Sequence, residues 1–332
     1  MKVLVAPLNW GLGHASRCVP LVQRFLDEGH EVILGGDGDS LTLLRRHFPK
    51  LRYVYLAPLT LRYSKGSRQV FAMLRAIPKM ISWSIKDHAL LKTVLREEPF
   101  DLVISDNRFG LYIGKNTEYR VQNTDLKCVY MTHQLHIMLP KGWRWAEGIA
   151  ERLHKRIYNR FDEVWVPDFE DKEKSLSGEL GHPKSTEYRI QHTDIKYLGP
   201  LSRFTTNPLT TNPLTRYDIV AVLSGLEPHR TMLEKELVAR YSGKKDQVLI
   251  VQGLMGRPKT TIKRGNITIV PYMSDVELAA ALSGAKHIIA RSGYSTIMDM
   301  HALGLLDKAE IIPTPGQPEQ EYLAEKYKKK GK

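Results

Sequence analysis

The 332 residues of this chain are 42% hydrophobic and 26% charged, which is enough apolar material for one large core or two medium ones. The aliphatic and aromatic content excludes an intrinsically disordered chain. The formal net charge of +13 indicates an anionic partner, such as a nucleotide, a lipid diphosphate, a phospholipid surface or a nucleic acid.

The cysteine and hydropathy patterns narrow the cellular setting. Cys18 and Cys128 are the two cysteines, so we predict no disulfide framework and a reduced, cytoplasmic environment. The first residues begin a strand at once, which predicts no signal peptide. No uncharged apolar run reaches about 18 residues, so no segment is expected to span a bilayer.

The N-terminal pattern is strand, glycine-rich loop and helix. The apolar strand Lys2–Ala6 runs into NWGLGHASR at 9–17, and the helix that follows is expected to end at Gly29. A right-handed crossover places this loop at the carboxyl edge of a parallel sheet. Gly11 and Gly13 would let the backbone approach a ligand closely.

This loop does not carry a dinucleotide fingerprint. The spacing is not GxGxxG, and Gly35 and Gly36 stand where a ribose-binding acid would end the second strand. We therefore predict no NAD site. Taken by itself, His14 is either a polar residue at the start of the helix or a group that faces the cleft.

Two basic amphipathic segments lie in the N-terminal half. The stretch 62–96 mixes apolar and basic residues and is expected to be interrupted at Pro78. The stretch 143–161 is expected to be a helix with Ile149, Leu153, Ile157 and Phe161 facing inward. Segments of this kind either cover a core or lie on an anionic membrane surface.

Polar residues follow two predicted buried strands. Asp106 follows the strand Asp101–Ser105, while His133 and Gln134 follow the strand Cys128–Met131. Because such residues lie at the carboxyl edge of a parallel sheet, all three are expected at a cleft. Asp106 is either a loop-capping aspartate or a partner of His14. The histidines are not spaced as a zinc site, so no metal is predicted.

The middle of the chain suggests a boundary. Residues 163–166 are expected to close the first sheet, and the Pro- and Thr-rich tract at 200–216 is predicted to be a linker. TEYRVQNTDLK at 117–127 recurs as TEYRIQHTDIK at 186–196, but two copies are too few for a repeat fold. A second strand–helix series then begins, with Ser224 and Gly225 at its first turn.

The segment 288–320 contains the most informative turn. A buried strand leads to a turn at 291–295 and a helix, so hydroxyls and free N–H groups would lie at a helix N-terminus, where phosphate binds well. Asp299 is one helical turn after Ser295 and could reach a sugar hydroxyl. Gln320 opens the next helix and could clamp a second hydroxyl. An ordinary turn with a capping serine is the alternative.

This Arg-Ser-Gly turn resembles the nucleotide-sugar signature of GT-B glycosyltransferases, especially the MurG-type enzymes of family 28 and the UDP-glucuronosyltransferase-like superfamily. The GLGHASR run resembles their glycine-rich first loop. The resemblance implies two Rossmann-like domains with parallel sheets facing across a cleft. These would be an acceptor-side domain at 1–199, the linker at 200–216 and a nucleotide-sugar-binding domain at 217–332, which is expected to lack the usual closing helix.

The resemblance also implies roles for individual residues. His14 would be the catalytic base, with Asp106 beside it, and His133 and Gln134 would meet the acceptor. The family acid at the place of Asp299 is usually Glu, so this chain departs from the pattern there. The donor-binding set would be Gly13, Ser224, Gly225, Tyr272, Met273, Arg291, Ser292, Gly293, Ser295, Thr296, Asp299 and Gln320.

The function implied is an inverting, metal-independent transfer of a hexose or N-acetylhexosamine from a UDP-sugar, with no cofactor, to an unidentified acceptor that includes lipid-linked sugars and glycolipids. We expect a cytoplasmic protein at the inner face of the membrane, held there by the segments 62–96 and 143–161. No nucleic-acid-binding motif occurs. The alternatives are a UDP-sugar 2-epimerase of GT-B architecture and a non-catalytic protein that binds anionic surfaces.

Overall fold

The computed structural model describes most of the chain, namely residues 1–59, 69–114, 117, 125–182, 194–205, 216–225 and 227–328, with backbone alone for 69–74. Most of both TEYR segments and of the Pro/Thr-rich tract lie outside the described residues, so the predictions made for them do too.

The first lobe is built on a seven-stranded parallel sheet in the order β3-β2-β1-β4-β5-β6-β7. Its strands are β1 (Lys2–Pro7), β2 (Glu31–Gly36), β3 (Tyr53–Tyr55), β4 (Leu102–Asp106), β5 (Lys127–Met131), β6 (Glu163–Val166) and β7 (Asp194–Tyr197). The chain starts at the centre, fills one side of the sheet and then the other. The strand order therefore reverses between β1 and β4, and a crevice forms there at the carboxyl ends.

Helices cover both faces of this sheet. They are α1 (Gly13–Asp27), α2 (Gly38–His47), α3 (Gln69–Glu97) and α4 (Glu147–Tyr158), the last preceded by a 3-10 turn at Lys141–Ala146. Alternate residues of β1 serve two cores: Val3 and Val5 pack with α1 and α2, while Leu4 packs with α3 and α4. Among the described residues, no helix is long and apolar enough to cross a bilayer.

The second lobe has a six-stranded sheet in the order β10-β11-β9-β8-β12-β13. Its strands are β8 (Ile219–Val222), β9 (Val248–Val251), β10 (Ile262–Arg264), β11 (Ile267–Val270), β12 (His287–Arg291) and β13 (Ala309–Ile312). Its helices are α5 (His229–Tyr241), α6 (Asp275–Gly284), α7 (Tyr294–Ala302) and α8 (Pro318–Lys326). The order reverses again, between β8 and β12, at the start of the predicted donor turn.

Two details of the sheets differ from expectation. Residues 163–166 do not close the first sheet, because β7 pairs beyond them in parallel register. The short edge strand β10 runs antiparallel to β11 and was not predicted. All of β10 is exposed, so it lacks the apolar run by which a buried strand is recognised.

The expected interruption at Pro78 is wrong, since α3 continues through it. A proline ring cannot donate the amide hydrogen bond of an interior helical residue. Pro78 lies on the exposed side of α3, where water can take the place of that donor.

The predicted inward face of the second amphipathic helix is also wrong in part. Phe161 is buried, but Ile149 and Leu153 are more than half exposed, and His154 and Tyr158 face the sheet instead. Each residue in this row is four positions after the last and is rotated by about 40° around the helix. The row therefore cannot stay on one face. Two apolar side chains of α4 are thereby left in solvent.

Candidate active site

The glycine loop of the first lobe touches the Arg-Ser-Gly turn of the second. The Ser295 hydroxyl donates to the Gly13 carbonyl at 2.8 Å. A Cβ placed on Gly13 would lie 2.9 Å from that hydroxyl oxygen, so this approach requires glycine. Gly11, at φ +81°, is in van der Waals range of the second predicted donor turn, since its Cβ would stand 3.8 Å from the Gly225 nitrogen. The two predicted loops therefore meet at the interlobe crevice.

The turn between β12 and α7 presents backbone N–H groups. The Thr296 amide is the first in α7 with a partner, the Gly293 carbonyl. Within the described part of the chain, the amides of Gly293, Tyr294 and Ser295 meet no acceptor. Three free amides at the positive end of a helix dipole form an anion-binding arrangement.

The side chains of this turn are largely engaged inside the protein. The Arg291 guanidinium donates to the carbonyls of Pro313 at 2.6 Å and His229 at 3.1 Å, and burial lowers its pKa. The buried Ser292 hydroxyl donates to the Gln320 carbonyl at 2.7 Å. These bonds fasten the turn to its neighbours. Phosphate contacts from Arg291 and Ser292 stay predictions.

Asp299 and Gln320 are also engaged. Asp299 accepts a hydrogen bond from the Ser202 hydroxyl at 2.6 Å, and its other oxygen is 3.5 Å from Arg203 Nε. Burial raises the pKa of Asp299 to about 6. The Gln320 side-chain oxygen accepts from the Thr314 amide at 2.9 Å. Their predicted contacts with a sugar nucleotide stay predictions.

The remaining predicted donor residues lie at the ends of strands. Tyr272 and Met273 follow β11, where the Arg46 guanidinium stacks 4.2 Å from the Tyr272 ring and Met273 packs on the core of its lobe. Ser224 and Gly225 follow β8, and Gly225 has φ +88°. Thr296 is half-buried in the first turn of α7.

His14 and Asp106 form a pair at the crevice of the first lobe. His14 Nδ1 lies 2.9 Å from Asp106 Oδ1, and the carboxylate is fully buried. Burial by itself would raise the pKa of Asp106, but the positive charge of Arg17 and the bond from His14 outweigh it and hold that pKa below its usual value. Nδ1 also lies 3.0 Å from Arg17 Nη2, which only donates, so this nitrogen faces an acceptor and a donor at once. When the hydrogen is on Nδ1 and is donated to the carboxylate, Nε2 keeps a lone pair that can accept a proton.

Arg17, which is not among the predicted site residues, holds this pair. Its side chain is 1% exposed. Nε donates to Asp106 Oδ2 at 2.7 Å, Nη2 bonds Oδ1, and Nη1 donates to His133 Nδ1 at 2.9 Å. The bidentate geometry is the strong form of an arginine–carboxylate pair. Its place three residues after His14, on the same helical face, was the available signal.

His133 connects this cluster to the second lobe. Since Nδ1 accepts from Arg17, the hydrogen is on Nε2, which donates to Glu319 Oε1 at 2.7 Å. Burial lowers the pKa of His133, while the contact with His133 holds the pKa of Glu319 below its usual value against its own burial. The His133 ring stacks on Tyr294 with centroids 4.4 Å apart. His133 thus bonds across the crevice, and its contact with an acceptor stays a prediction.

Glu319 was likewise missed, although it precedes the predicted Gln320 in the first turn of α8. The other predicted acceptor residue, Gln134, is half-buried, and its amide donates to Thr132 Oγ1 at 3.1 Å. A cavity of about 800 Å³ opens beside these residues, between the segment 136–151 and α8. Glu147 and Glu151 line one wall, and Pro318 lines the other.

No cluster of three or more His, Cys, Asp or Glu side chains that could hold a metal occurs among the residues that the structure describes. Metal independence nevertheless stays a prediction.

Comparisons with known proteins agree with this architecture. No family model matches the chain. An uncharacterized glycosyltransferase of Methanosarcina acetivorans is 23% identical over 330 residues, covering 97% of this chain and 82% of the relative. A similarly described protein of Methanosarcina mazei is 22% identical over 317 residues, covering 92% of this chain and 78% of the relative.

Solved structures are similar across both lobes. The calicheamicin glycosyltransferase CalG4 aligns with a TM-score of 0.56 and 12% identity, covering 98% of this chain and 83% of that one. The Streptomyces nogalater glycosyltransferase SnogD gives a TM-score of 0.54 and 16% identity, with coverage of 98% and 84%. Arabidopsis thaliana UGT89C1 complexed with UDP-L-rhamnose gives 0.54 and 16%, with coverage of 99% and 89%.

The two lobes and these neighbours define the GT-B fold, which confirms the fold class predicted from the sequence. The predicted resemblance to GT-B glycosyltransferases is confirmed with it. The narrower MurG-type assignment and the domain boundaries stay predictions.

Proposed function

We propose that the protein is an inverting, metal-independent glycosyltransferase that uses a UDP-sugar. The observation that carries the proposal is the juxtaposition of His14 with the free amides of the Gly293–Ser295 turn, brought together by the Ser295–Gly13 bond. A proton acceptor and an anion-binding helix terminus on opposite sides of one crevice suit transfer of a sugar from a diphosphate to a hydroxyl. The UDP-L-rhamnose complex of UGT89C1 supports a nucleotide-sugar donor.

In the proposed reaction, the acceptor oxygen attacks C1 of the donor sugar from the side opposite the diphosphate, so the configuration inverts. The acceptor proton passes to His14 Nε2, while Asp106 holds the Nδ1 hydrogen and stabilises the imidazolium that forms. The C1–O bond breaks with its electron pair on the departing UDP. The amides and dipole of α7 receive that negative charge, a role that a metal ion fills in other enzymes.

Thermal unfolding with UDP and with UDP-hexoses tests the donor. A nucleotide that binds the folded state raises its stability by about 2.7 kcal/mol at one hundred times its Kd. We expect the rise to be the same with and without a chelator. It should shrink in Gly13→Ala, which sets a methyl 2.9 Å from the Ser295 hydroxyl, and persist in Gly148→Ala, where an added Cβ meets nothing within 4 Å. No shift with any UDP compound would refute the donor assignment.

Product analysis separates transfer from the epimerase alternative. The 2-epimerase should convert UDP-GlcNAc when it is supplied alone, and proton NMR of that mixture would show the new sugar. A transferase should leave UDP-GlcNAc unchanged, apart from slow hydrolysis, until an acceptor is added.

An anionic membrane surface is the partner we propose for the first lobe. Ile77, Ile81 and Ile85 form a stripe along α3 and are 45% to 63% exposed. A second stripe of Trp145, Ile149 and Leu153 is 52% to 74% exposed. Exposed basic residues flank both stripes, namely Lys79, Lys86, Arg144, Arg152 and Arg156. Apolar stripes bordered by cations suit the interface of an anionic bilayer.

The two stripes belong to helices that share one face of the sheet. His88 of α3 stacks on Tyr112 with centroids 4.7 Å apart, and Arg160, just after α4, donates to the Tyr112 hydroxyl at 3.0 Å. The segment with the second stripe also supplies Arg144 and Glu147 to the 800 Å³ cavity. A membrane beneath this face would therefore lie near the crevice, which favours a lipid-borne acceptor.

Co-sedimentation with vesicles tests this partner. We expect binding to vesicles that contain phosphatidylglycerol, little binding to phosphatidylcholine alone, and loss of binding in Ile81→Asp/Ile149→Asp. Met232→Asp is the matched control, because Met232 is equally exposed but belongs to the second lobe. Failure of the unmodified protein to sediment with anionic vesicles would refute the proposal.

A further inference from the structure

Asp106 is an anion with two available counter-charges. It is fully buried, with Arg17 bonded to both of its oxygens and His14 bonded to one. A buried carboxylate needs a compensating positive charge. Arg17 is always charged, whereas the histidine is charged only when it is protonated. Which of them balances Asp106 decides the protonation state of His14.

The geometry favours Arg17. Arg17 bonds both oxygens of Asp106 and balances that charge, while Glu319, the second anion of the cluster, bonds His133 and not His14. A protonated His14 would add a second positive charge, with Nδ1 only 3.0 Å from Arg17 Nη2. A neutral ring avoids this repulsion, and its Nδ1 can either donate to Asp106 or accept from Arg17. Because Nη2 already bonds Asp106 Oδ1, the geometry favours donation from Nδ1 to the carboxylate.

The same arginine orders the next histidine. Nη1 donates to His133 Nδ1, so the His133 hydrogen must lie on Nε2, where it meets Glu319 of the second lobe. The hydrogen positions from His14 to α8 are therefore set by one guanidinium. His133 and Glu319 are 186 residues apart in sequence, so this order exists only when the lobes are together.

We propose that Arg17 is a positioning residue that serves as the counter-ion of Asp106, keeps His14 neutral with its hydrogen on Nδ1, and links that state through His133 to Glu319 in the donor lobe. The proposal deepens the proposed function and rests on it only for the role of His14 as the base. The other ionisable groups against the cluster are Cys18, whose thiol is 3.7 Å from Asp106 Oδ2, and Tyr294, stacked on His133. Burial raises the pKa of both, which leaves them neutral.

Long-range proton–nitrogen NMR of the histidine rings in the full chain tests this directly, with His14→Asn and His133→Asn to assign the signals. In the unmodified protein near neutral pH, we expect His14 as the Nδ1–H tautomer and His133 as the Nε2–H tautomer. A His14 ring that is doubly protonated, or that carries its hydrogen on Nε2, would overturn the proposal without any variant.

The variant Arg17→Met then tests the cause. With the guanidinium gone, protonated His14 becomes the counter-ion of Asp106, so its ring should carry hydrogens on both nitrogens at the pH where the unmodified protein shows the Nδ1–H tautomer. Arg17→Lys, which restores the charge, should restore the Nδ1–H tautomer. A neutral His14 ring in a folded Arg17→Met protein would refute the counter-ion role.

The proposed function and the role of Arg17 can be refuted independently of each other. A protein with the expected tautomers that binds no UDP compound would contradict the proposed function and leave the role of Arg17 intact. A transferase whose kcat falls at low pH in the same way in Arg17→Met as in the unmodified enzyme would contradict the role of Arg17 and leave the proposed function intact. A loss confined to KM would also count against Arg17, since a charge effect on the base acts on kcat.

Discussion

The two sides of the crevice present different chemical groups, side chains in the first lobe and backbone amides in the second. In the first lobe, the proposed base cluster consists of ionisable side chains that bond to one another, the half-buried His14 and the buried Asp106, Arg17 and His133. In the second lobe, the turn at Gly293–Ser295 presents backbone amides, while the side chains of Arg291 and Ser292 donate hydrogen bonds to carbonyls of the protein itself. In the proposed function, the chemistry would thus depend on side chains and the anion binding on the backbone.

This difference has a consequence for substitutions. A side-chain cluster is sensitive to the loss of any charged member, because its partners are left buried and unbalanced. A backbone site survives most side-chain changes so long as the helix terminus keeps its place. We expect substitutions in the first lobe to abolish turnover or stability, and those in the second to weaken binding modestly.

The largest effect is expected for His14→Gln. Removing a general base costs typically 10²- to 10⁴-fold in rate, and we expect kcat to fall by that amount with UDP affinity unchanged. Steady-state kinetics with the donor identified by thermal shift, together with calorimetric titration of UDP, measure the two quantities. His301→Gln, at an exposed site on α7, is the control. Full turnover in His14→Gln would show that His14 is not the base.

A loss of stability follows for Asp106→Asn. Arg17 would then be buried without its anion, which costs about 3 to 5 kcal/mol of unfolding free energy. Urea denaturation measures it. Asp218→Asn, which breaks an exposed pair with Lys286, should leave the unfolding free energy unchanged. Adding Arg17→Met to Asp106→Asn should recover much of the loss, and a double variant no more stable than the single one would contradict the account.

Asp299 tests whether a second-lobe side chain carries buried charge in the same way. Its pKa is raised to about 6, mainly by burial, so between the ordinary value and about 6 the folded state binds a proton that the unfolded state has lost. Stability from this site is present below about pH 4 and is lost as the pH rises through about 6. Asp299→Asn does not titrate.

The unfolding free energy of Asp299→Asn, relative to that of the unmodified protein, should therefore rise by about 3 kcal/mol between pH 4 and pH 7. Urea titrations at several pH values measure this difference, and Glu310→Gln, at a half-exposed site on β13, serves as the control. A difference that stays flat with pH would show that Arg203 and Ser202 balance the Asp299 carboxylate fully.

Local patterns predicted much of this architecture, whereas long-range partners could not be read from them. The strand–turn–helix of residues 288–302 was predicted because an apolar run, a glycine and a helical period follow one another along the chain. The His14–Asp106 pair followed from placing polar residues at the ends of parallel strands. Arg17 and Glu319 were missed because neither lies at the end of a strand: Arg17 is inside α1 and Glu319 is in the first turn of α8.

The smallest effect is expected for Ser295→Ala, which removes the side-chain hydroxyl and leaves the backbone amide of the same residue in place. The hydroxyl donates to Gly13 across the lobes, and losing such a bond costs about 0.5 to 1.5 kcal/mol. If the amides of the turn bind the diphosphate, the UDP affinity measured by calorimetry should fall less than about tenfold. Ser295→Pro removes the Ser295 amide, which has no partner within α7, so it should weaken UDP binding more than Ser295→Ala does. Equal losses in the two variants would mean that the hydroxyl, and not the backbone, holds the nucleotide.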